Sequence, residues 1–209
     1  MTKLNNAIWD FDGTLADTYP VMLKNVMQTL SDFNLTGYKQ TDVYKKIKIH
    51  SINTLAAELE QQGKVKKTNF IDHYQNLERI SQTDVELYPD AKTVLKTISN
   101  GDGGNYLLTH RNDLVIDMLR KNDVLKYFKG RVDGNDKFPR KPKPDSINYL
   151  VTKYKLNPAT TAMIGDRALD IKAGENAGVK TIYFDVDNFH DNSGSDYVVK
   201  NLKDILKLY

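Results

Sequence analysis

The sequence contains no cysteine and only four histidines, scattered along the chain. Disulfides and thiolate metal sites are thereby excluded and a zinc cluster is not expected, so any metal should be held by oxygen. A long apolar run is missing as well: nothing approaches the ~18 consecutive apolar residues that span a bilayer. Met1 to Asn6 is polar and passes directly into a short apolar segment, without the hydrophobic stretch or cleavage site of a secretion signal. A cytoplasmic protein with no membrane partner is expected. Neither sign of charge dominates, and a net charge of +3 argues only weakly for a polyanion, so no nucleic-acid partner is expected. Internal repeats and low-complexity tracts are absent; Asp187 to Asp196 is a polar loop rich in Asn, Ser and Gly. Nothing in the sequence separates a monomer from a homodimer.

What is present is an ordinary globular balance, 40% apolar and 27% charged over 209 residues, enough for one substantial domain plus a smaller insertion. Ala7-Ile8-Trp9 followed by Asp10-Phe11-Asp12-Gly13 reads as a short buried strand ending in a turn. From Thr18 to about Thr83 apolar residues recur at three and four (Val21, Met22, Val26, Met27, Leu30 and Phe33; later Phe70, Ile71, Tyr74 and Leu77), which predicts an all-helical insertion of three or four helices. Pro89 suits a first helical position ahead of Ala91, Val94, Leu95 and Ile98. Strands and helices then alternate. Strands are expected at 105–109, 130–133, 161–164, 181–184 and 197–199, helices at 112–121, 146–154 and 170–177, and a final amphipathic helix on Leu202, Ile205 and Leu206. Such alternation implies right-handed crossovers and a mainly parallel sheet, an α/β fold whose ligands bind beyond the carboxyl ends of the strands.

Polar residues cluster at several of those ends. Asp10 and Asp12 stand two apart at a strand terminus, which sets both carboxylates on one side, and two like charges that close call for a cation or a shared proton. Asp-Phe-Asp-Gly on its own is more commonly a turn. A calcium loop fits poorly, because counting from Asp10 the fifth, sixth and twelfth positions are Thr14, Leu15 and Val21. Gly165-Asp166-Arg167-Ala168-Leu169-Asp170 follows a second strand and opens a helix, so Asp166 and Asp170 project toward one place. Four carboxylates at two strand ends suggest a hard, oxygen-ligated ion such as Mg²⁺, although Asp170 alone is equally a first-turn or capping carboxylate. The hydroxyl of Thr109 can donate to a phosphoryl oxygen or cap a helix; His110 and Arg111 read equally well as surface residues. Lys141 lies in the proline-rich run Arg140-Lys141-Pro142-Lys143-Pro144, of a kind usually solvated.

Together these segments resemble the haloacid dehalogenase superfamily in its phosphatase branch, the phosphoglycolate phosphatase and β-phosphoglucomutase-like group with a helical cap. Asp10-Phe11-Asp12-Gly13-Thr14-Leu15 matches the first signature, Thr109 the second, Lys141-Pro142-x-Pro144 the third and Gly165-Asp166-x-x-x-Asp170 the fourth, in the right order. The resemblance implies a Rossmann-like parallel core formed by residues 1–16 and 87–209, with a helical cap, 17–86, inserted after the first strand. It further implies a Mg²⁺-dependent phosphatase acting on a small phosphate monoester. Asp10 would be the nucleophile, Asp12 the general acid and base, and Thr109, His110, Arg111 and Lys141 the substrate-binding groups. Asp10, Asp12 through its carbonyl, Asp166 and Asp170 would form the metal site, with Asp170 orienting waters or Lys141. A sugar phosphomutase of the same fold and a non-catalytic phosphate- or Mg²⁺-binding module are the alternatives. The stretch Tyr44, Lys45, Lys46, Lys48 and His50 is a further candidate surface for an acidic substrate.

Overall fold

In the computed structural model, residues 3–81, 85–112, 114–190 and 194–209 are described. The chain forms two compact units, one made of Met1–Asp17 and Glu86–Tyr209, the other of Thr18–Val85.

The first unit is built on a six-stranded parallel sheet: β1 (Asn6–Trp9), β2 (Gly104–Leu108), β3 (Phe128–Val132), β4 (Thr161–Gly165), β5 (Lys180–Phe184) and β6 (Tyr197–Val199). The spatial order is β3-β2-β1-β4-β5-β6, so the direction of winding reverses between β1 and β4, where a doubly wound sheet opens a crevice. Trp9 is paired with Leu107 on one side and Ile164 on the other. Strands covered on both faces read as apolar runs; β2 and β4 are buried at every position.

Inside this sheet the indole N–H of Trp9 donates to Asn105 Oδ1 at 2.9 Å, and the Asn105 amide donates to the carbonyls of Leu95 and Tyr127. A buried asparagine is thus satisfied on three sides, as the cost of an unpaired buried amide requires.

The second unit contains the helices α1 (Tyr19–Asp32), α2 (Gln40–Ile49), α3 (Ile52–Gln61) and α4 (Lys67–Ser81). Its core gathers Val26, Leu30, Ile47, Leu59 and Phe70, residues at the three- and four-residue spacing that lays an apolar stripe along a helix. The residues 44–50 do not form one basic face. Lys48 is buried with its ammonium 4.1 Å from the centre of the Tyr19 ring, and Lys46 is paired with Glu58 at 2.7 Å; Lys45 and His50 are exposed. Lys48 follows Tyr44, which packs against this core, by one helical turn, and its stem lies along the apolar surface with the ammonium at the Tyr19 ring.

The sheet is flanked by α5 (Ala91–Ser99), α6 (Leu114–Lys121), α7 (Asp145–Tyr154) and α8 (Ala168–Asn176). Two expectations are corrected. Pro89 is not a first helical residue. Ala91 N–H closes a turn on the carbonyl of Tyr88, and Asp90 takes φ 66°, the pattern of a type II turn with proline at its second position. The last segment, Leu202–Lys207, is a 3₁₀ helix, in which residues three apart eclipse; that suffices to bury Leu202 and Ile205 while Leu206 stays half-buried.

Candidate active site

The residue that follows each of the first five strands is polar and buried: Asp10, Thr109, Asp133, Asp166 and Asp185. Three of them continue the ladder by one backbone bond, Asp10 N–H to the Ile164 carbonyl, Thr109 N–H to Val132 and Asp185 N–H to Val199. Their side chains are therefore set by the sheet rather than by a loop.

At the crevice, carboxylate oxygens of Asp10, Asp166 and Asp170 lie within 4.8 Å of one another, all three residues buried. Lys141, from the segment leading into α7, reaches in with its side chain 3% exposed and donates to Asp10 Oδ1 at 2.7 Å and to Asp170 Oδ1 at 2.5 Å. The second oxygen of Asp170 accepts the backbone N–H of Arg167 at 3.2 Å. Asp170 thus caps α8 and anchors Lys141 at once, the two readings that the sequence had left side by side.

Gly165 makes this approach possible, since a β-carbon there would stand 2.2 Å from Cβ of Asp170. Thr14 donates its hydroxyl to Asp166 Oδ1 at 3.0 Å and is fully buried. Neither Thr14 nor Gly165 stood out for a site role in the sequence, where both were signature letters without a partner.

Burial, reinforced by Asp170 and Asp12 and opposed by Lys141, pushes the Asp10 carboxyl up to about 7. Burial raises Asp170 too, again against the pull of Lys141. Lys141 itself is held above the ordinary lysine range: burial works against its charge, and Asp10 and Asp170 together outweigh it. Three carboxylates face one ammonium, leaving an excess of negative charge in a low-dielectric place. An all-oxygen donor set with that excess fits a hard divalent cation.

Asp12 is placed differently. Its carboxylate is outside the group of three and accepts Arg111 Nε at 2.7 Å. Arg111 is therefore no surface residue; its own N–H bonds to the Thr109 hydroxyl at 3.1 Å. His110 is turned to Lys141, accepting that residue's backbone N–H on Nε2 at 3.2 Å. This requires a ring unprotonated at Nε2, and burial, then Lys141, Arg140 and Arg167, push its pKa down to about 3. Of the residues singled out from sequence, Asp10, Lys141, Asp166 and Asp170 are brought into one cluster. Thr109, Arg111 and Asp12 form a chain of contacts, and His110 touches the cluster through the backbone of Lys141. A cavity of about 400 Å³ along β3, lined among others by Lys129, Arg131, Tyr149 and Lys153, includes none of these eight.

No described helix is long and apolar enough to cross a membrane. A phosphoglycolate phosphatase of Vibrio parahaemolyticus is 27% identical, covering 96% of this chain and 93% of its own length. The pyrophosphatase PpaX of Oceanobacillus iheyensis is 23% identical over 99% of this chain and 97% of its own. A hydrolase from Streptococcus pneumoniae TIGR4 of known structure is 33% identical, with TM-score 0.62 over 86% of this chain and 92% of that one. The profile of the haloacid dehalogenase-like hydrolases matches residues 7–184, most of the chain including both acidic strand ends, and the chain belongs to that family.

Proposed function

We propose that this hydrolase is a phosphatase that cleaves a small phosphate monoester through a phosphoryl group carried transiently on Asp10. The observation that carries the reading is the contact of buried Asp10 with Lys141 beside Asp166 and Asp170 at the sheet's switch point. Phosphoryl transfer needs charge neutralisation and positioning more than covalent assistance, and this arrangement supplies both. The names of the relatives, a phosphoglycolate phosphatase and a pyrophosphatase, support a small phosphate compound as substrate.

In this reading an oxygen of Asp10 attacks phosphorus, and the bond from phosphorus to the leaving oxygen breaks with its electron pair going to that oxygen. Asp12 gives the leaving oxygen its proton, then takes one from the attacking water, which displaces phosphate and restores the Asp10 carboxylate. Lys141 holds and neutralises phosphoryl oxygens, the Thr109 hydroxyl donates to another, and Asp170 keeps Lys141 in place. A divalent ion, Mg²⁺ in this proposal, held by Asp10, the Asp12 carbonyl and Asp166, offsets the repulsion between carboxylate and phosphate. The helical insertion is proposed to act as the cap that selects the leaving group.

The test is hydrolysis of p-nitrophenyl phosphate with Mg²⁺, with EDTA and with Asp10→Asn as controls. Turnover lost in both controls, together with a phosphorylated Asp10 peptide after acid quench of the wild type, is the expected result. Turnover that survives Asp10→Asn would refute the nucleophile. Transfer only to a sugar hydroxyl, or binding without turnover, would convert the reading to the mutase or the binding module.

A further inference from the structure

The segment that carries Lys141 belongs to no helix or strand, and Pro139, Pro142 and Pro144 bring no backbone donors to it. What fixes it must come largely from elsewhere in the fold. Within the run, Lys143 N–H closes a turn on the Arg140 carbonyl at 3.1 Å. The Lys141 N–H goes outside it, to His110 Nε2 at 3.2 Å, and the Pro142 carbonyl accepts the Asn176 amide at 2.9 Å. Asn176 is exposed, so water can replace its bond. The His110 bond is made at Lys141 itself, and it sets the backbone position from which the lysine side chain reaches in.

That bond starts from a fixed base. His110 follows Thr109, whose N–H continues the sheet onto the Val132 carbonyl, and the carbonyl of the next residue, Arg111, accepts Gly134 N–H at 2.5 Å. A β-carbon at Gly134 would stand 2.7 Å from the His110 carbonyl oxygen, so the loops after β2 and β3 meet backbone to backbone. A cavity beside His110, lined also by Thr109, Phe138, Pro139 and Arg140, measures about 40 Å³. That admits water but lies far below the ~300 Å³ at which ligand sites begin. The imidazole therefore bridges the end of β2 and the Lys141 segment, and the nitrogen it presents there is occupied by the bridge. Lys141 has little freedom to compensate for a displaced backbone, because its ammonium is held 2.7 Å from Asp10 and 2.5 Å from Asp170.

Resting on the phosphatase reading above, we infer that His110 is a positioning residue that acts through Lys141: by accepting the Lys141 N–H it sets where the ammonium meets the phosphoryl oxygens. It touches neither the substrate nor the metal. A neutral ring that accepts at Nε2 carries its proton on Nδ1, so the role has a signature in the free protein.

Proton–nitrogen correlation spectra of the wild type should show His110 as the tautomer protonated on Nδ1. A proton on Nε2 would overturn the inference, and that result does not depend on any variant folding. With p-nitrophenyl phosphate and Mg²⁺, His110→Leu should lower kcat by about ten- to a hundredfold, the scale of a catalytic group displaced by about an ångström, with a smaller change in KM. His110→Gln, whose side-chain oxygen can accept the same N–H, should recover most of the loss. Placed in Lys141→Met, His110→Leu should cost less than about twofold, since two residues that act as one unit are not additive. An unchanged kcat in His110→Leu, no recovery in His110→Gln, or an equal fold-loss with and without Lys141 would each overturn the inference while leaving the phosphatase standing. Absence of Mg²⁺-dependent turnover by the wild type would remove the phosphatase reading and this inference together.

Discussion

Lys141 is the side chain on which the charge balance turns. It sits among carboxylates that burial alone would drive toward the protonated form, and its two short contacts explain how Asp10 can ionise there at all. Lys141→Met should lower kcat on any accepted ester by about a hundredfold or more, the usual cost of one lost charge-stabilising donor. KM should rise less if its main work is on the transition state. Steady-state kinetics with folding checked by circular dichroism would read this, and a variant with unaltered kcat would remove Lys141 from the mechanism.

Asp10, Lys141, Asp166 and Asp170 could be picked out of the sequence because each stands at a predicted strand end or in an ordered signature. The pairing of Asp12 with Arg111 and the turn of His110 toward the Lys141 backbone could not. Both depend on which strands are neighbours, and a residue's surroundings across 31 or 99 positions leave no local trace.

Among the elements, the junction of β4 and α8 is the most exacting. Gly165 lets the Asp170 side chain lie against the strand end, and a methyl group there must displace either the carboxylate or the helix. Gly165→Ala should destabilise by about 1–3 kcal/mol through overpacking and should cut activity further than the stability loss explains, because Asp170 anchors Lys141. Denaturant melts beside kinetics would separate the two effects; full activity would show that the loop relaxes.

The β1–β2 pair offers a second check away from the chemistry. Asn105→Ala strips the Trp9 indole of its buried acceptor and two carbonyls of their donor. It should cost roughly 2–4 kcal/mol, at the upper end for lost buried hydrogen bonds and a small cavity. A change under about 0.5 kcal/mol, the range of surface substitutions, would mean that the network is not needed. Element types were readable from spacing and turn residues. The terminal Leu202–Lys207 segment was not, since an apolar pair three apart serves an α-helix and a 3₁₀ helix alike.

The whole molecule should respond to pH and metal together. Asp10 has its folded pKa raised from 3.8 to about 7, and Asp170 shifts in the same direction. A carboxyl with a raised folded pKa contributes stability that is fully present below the unfolded value and is lost as pH rises through the folded one. In EDTA the melting temperature should therefore decline between about pH 4 and pH 7 relative to Asp10→Asn, which lacks that titration. A divalent cation favours the ionised carboxylates and should reverse the trend, adding about 2.7 kcal/mol when present at a hundred times its dissociation constant. Thermal melts of both proteins with EDTA and with Mg²⁺ would decide it, and identical pH slopes would show that Asp10 is ionised throughout.

The order of apolar and turn residues by itself determined that there would be parallel strands with acidic ends and a helical insertion, because backbone periodicity and chain-breaking chemistry are local properties. Only the tertiary structure decided which strand ends adjoin, that Asp170 serves Lys141 and its own helix at once, that Thr14 steadies Asp166, and that Arg111 holds Asp12. Those contacts follow from the sheet order β3-β2-β1-β4 and from two glycines that admit close approach, and a side chain's charge state is set by such neighbours rather than by its place in the sequence.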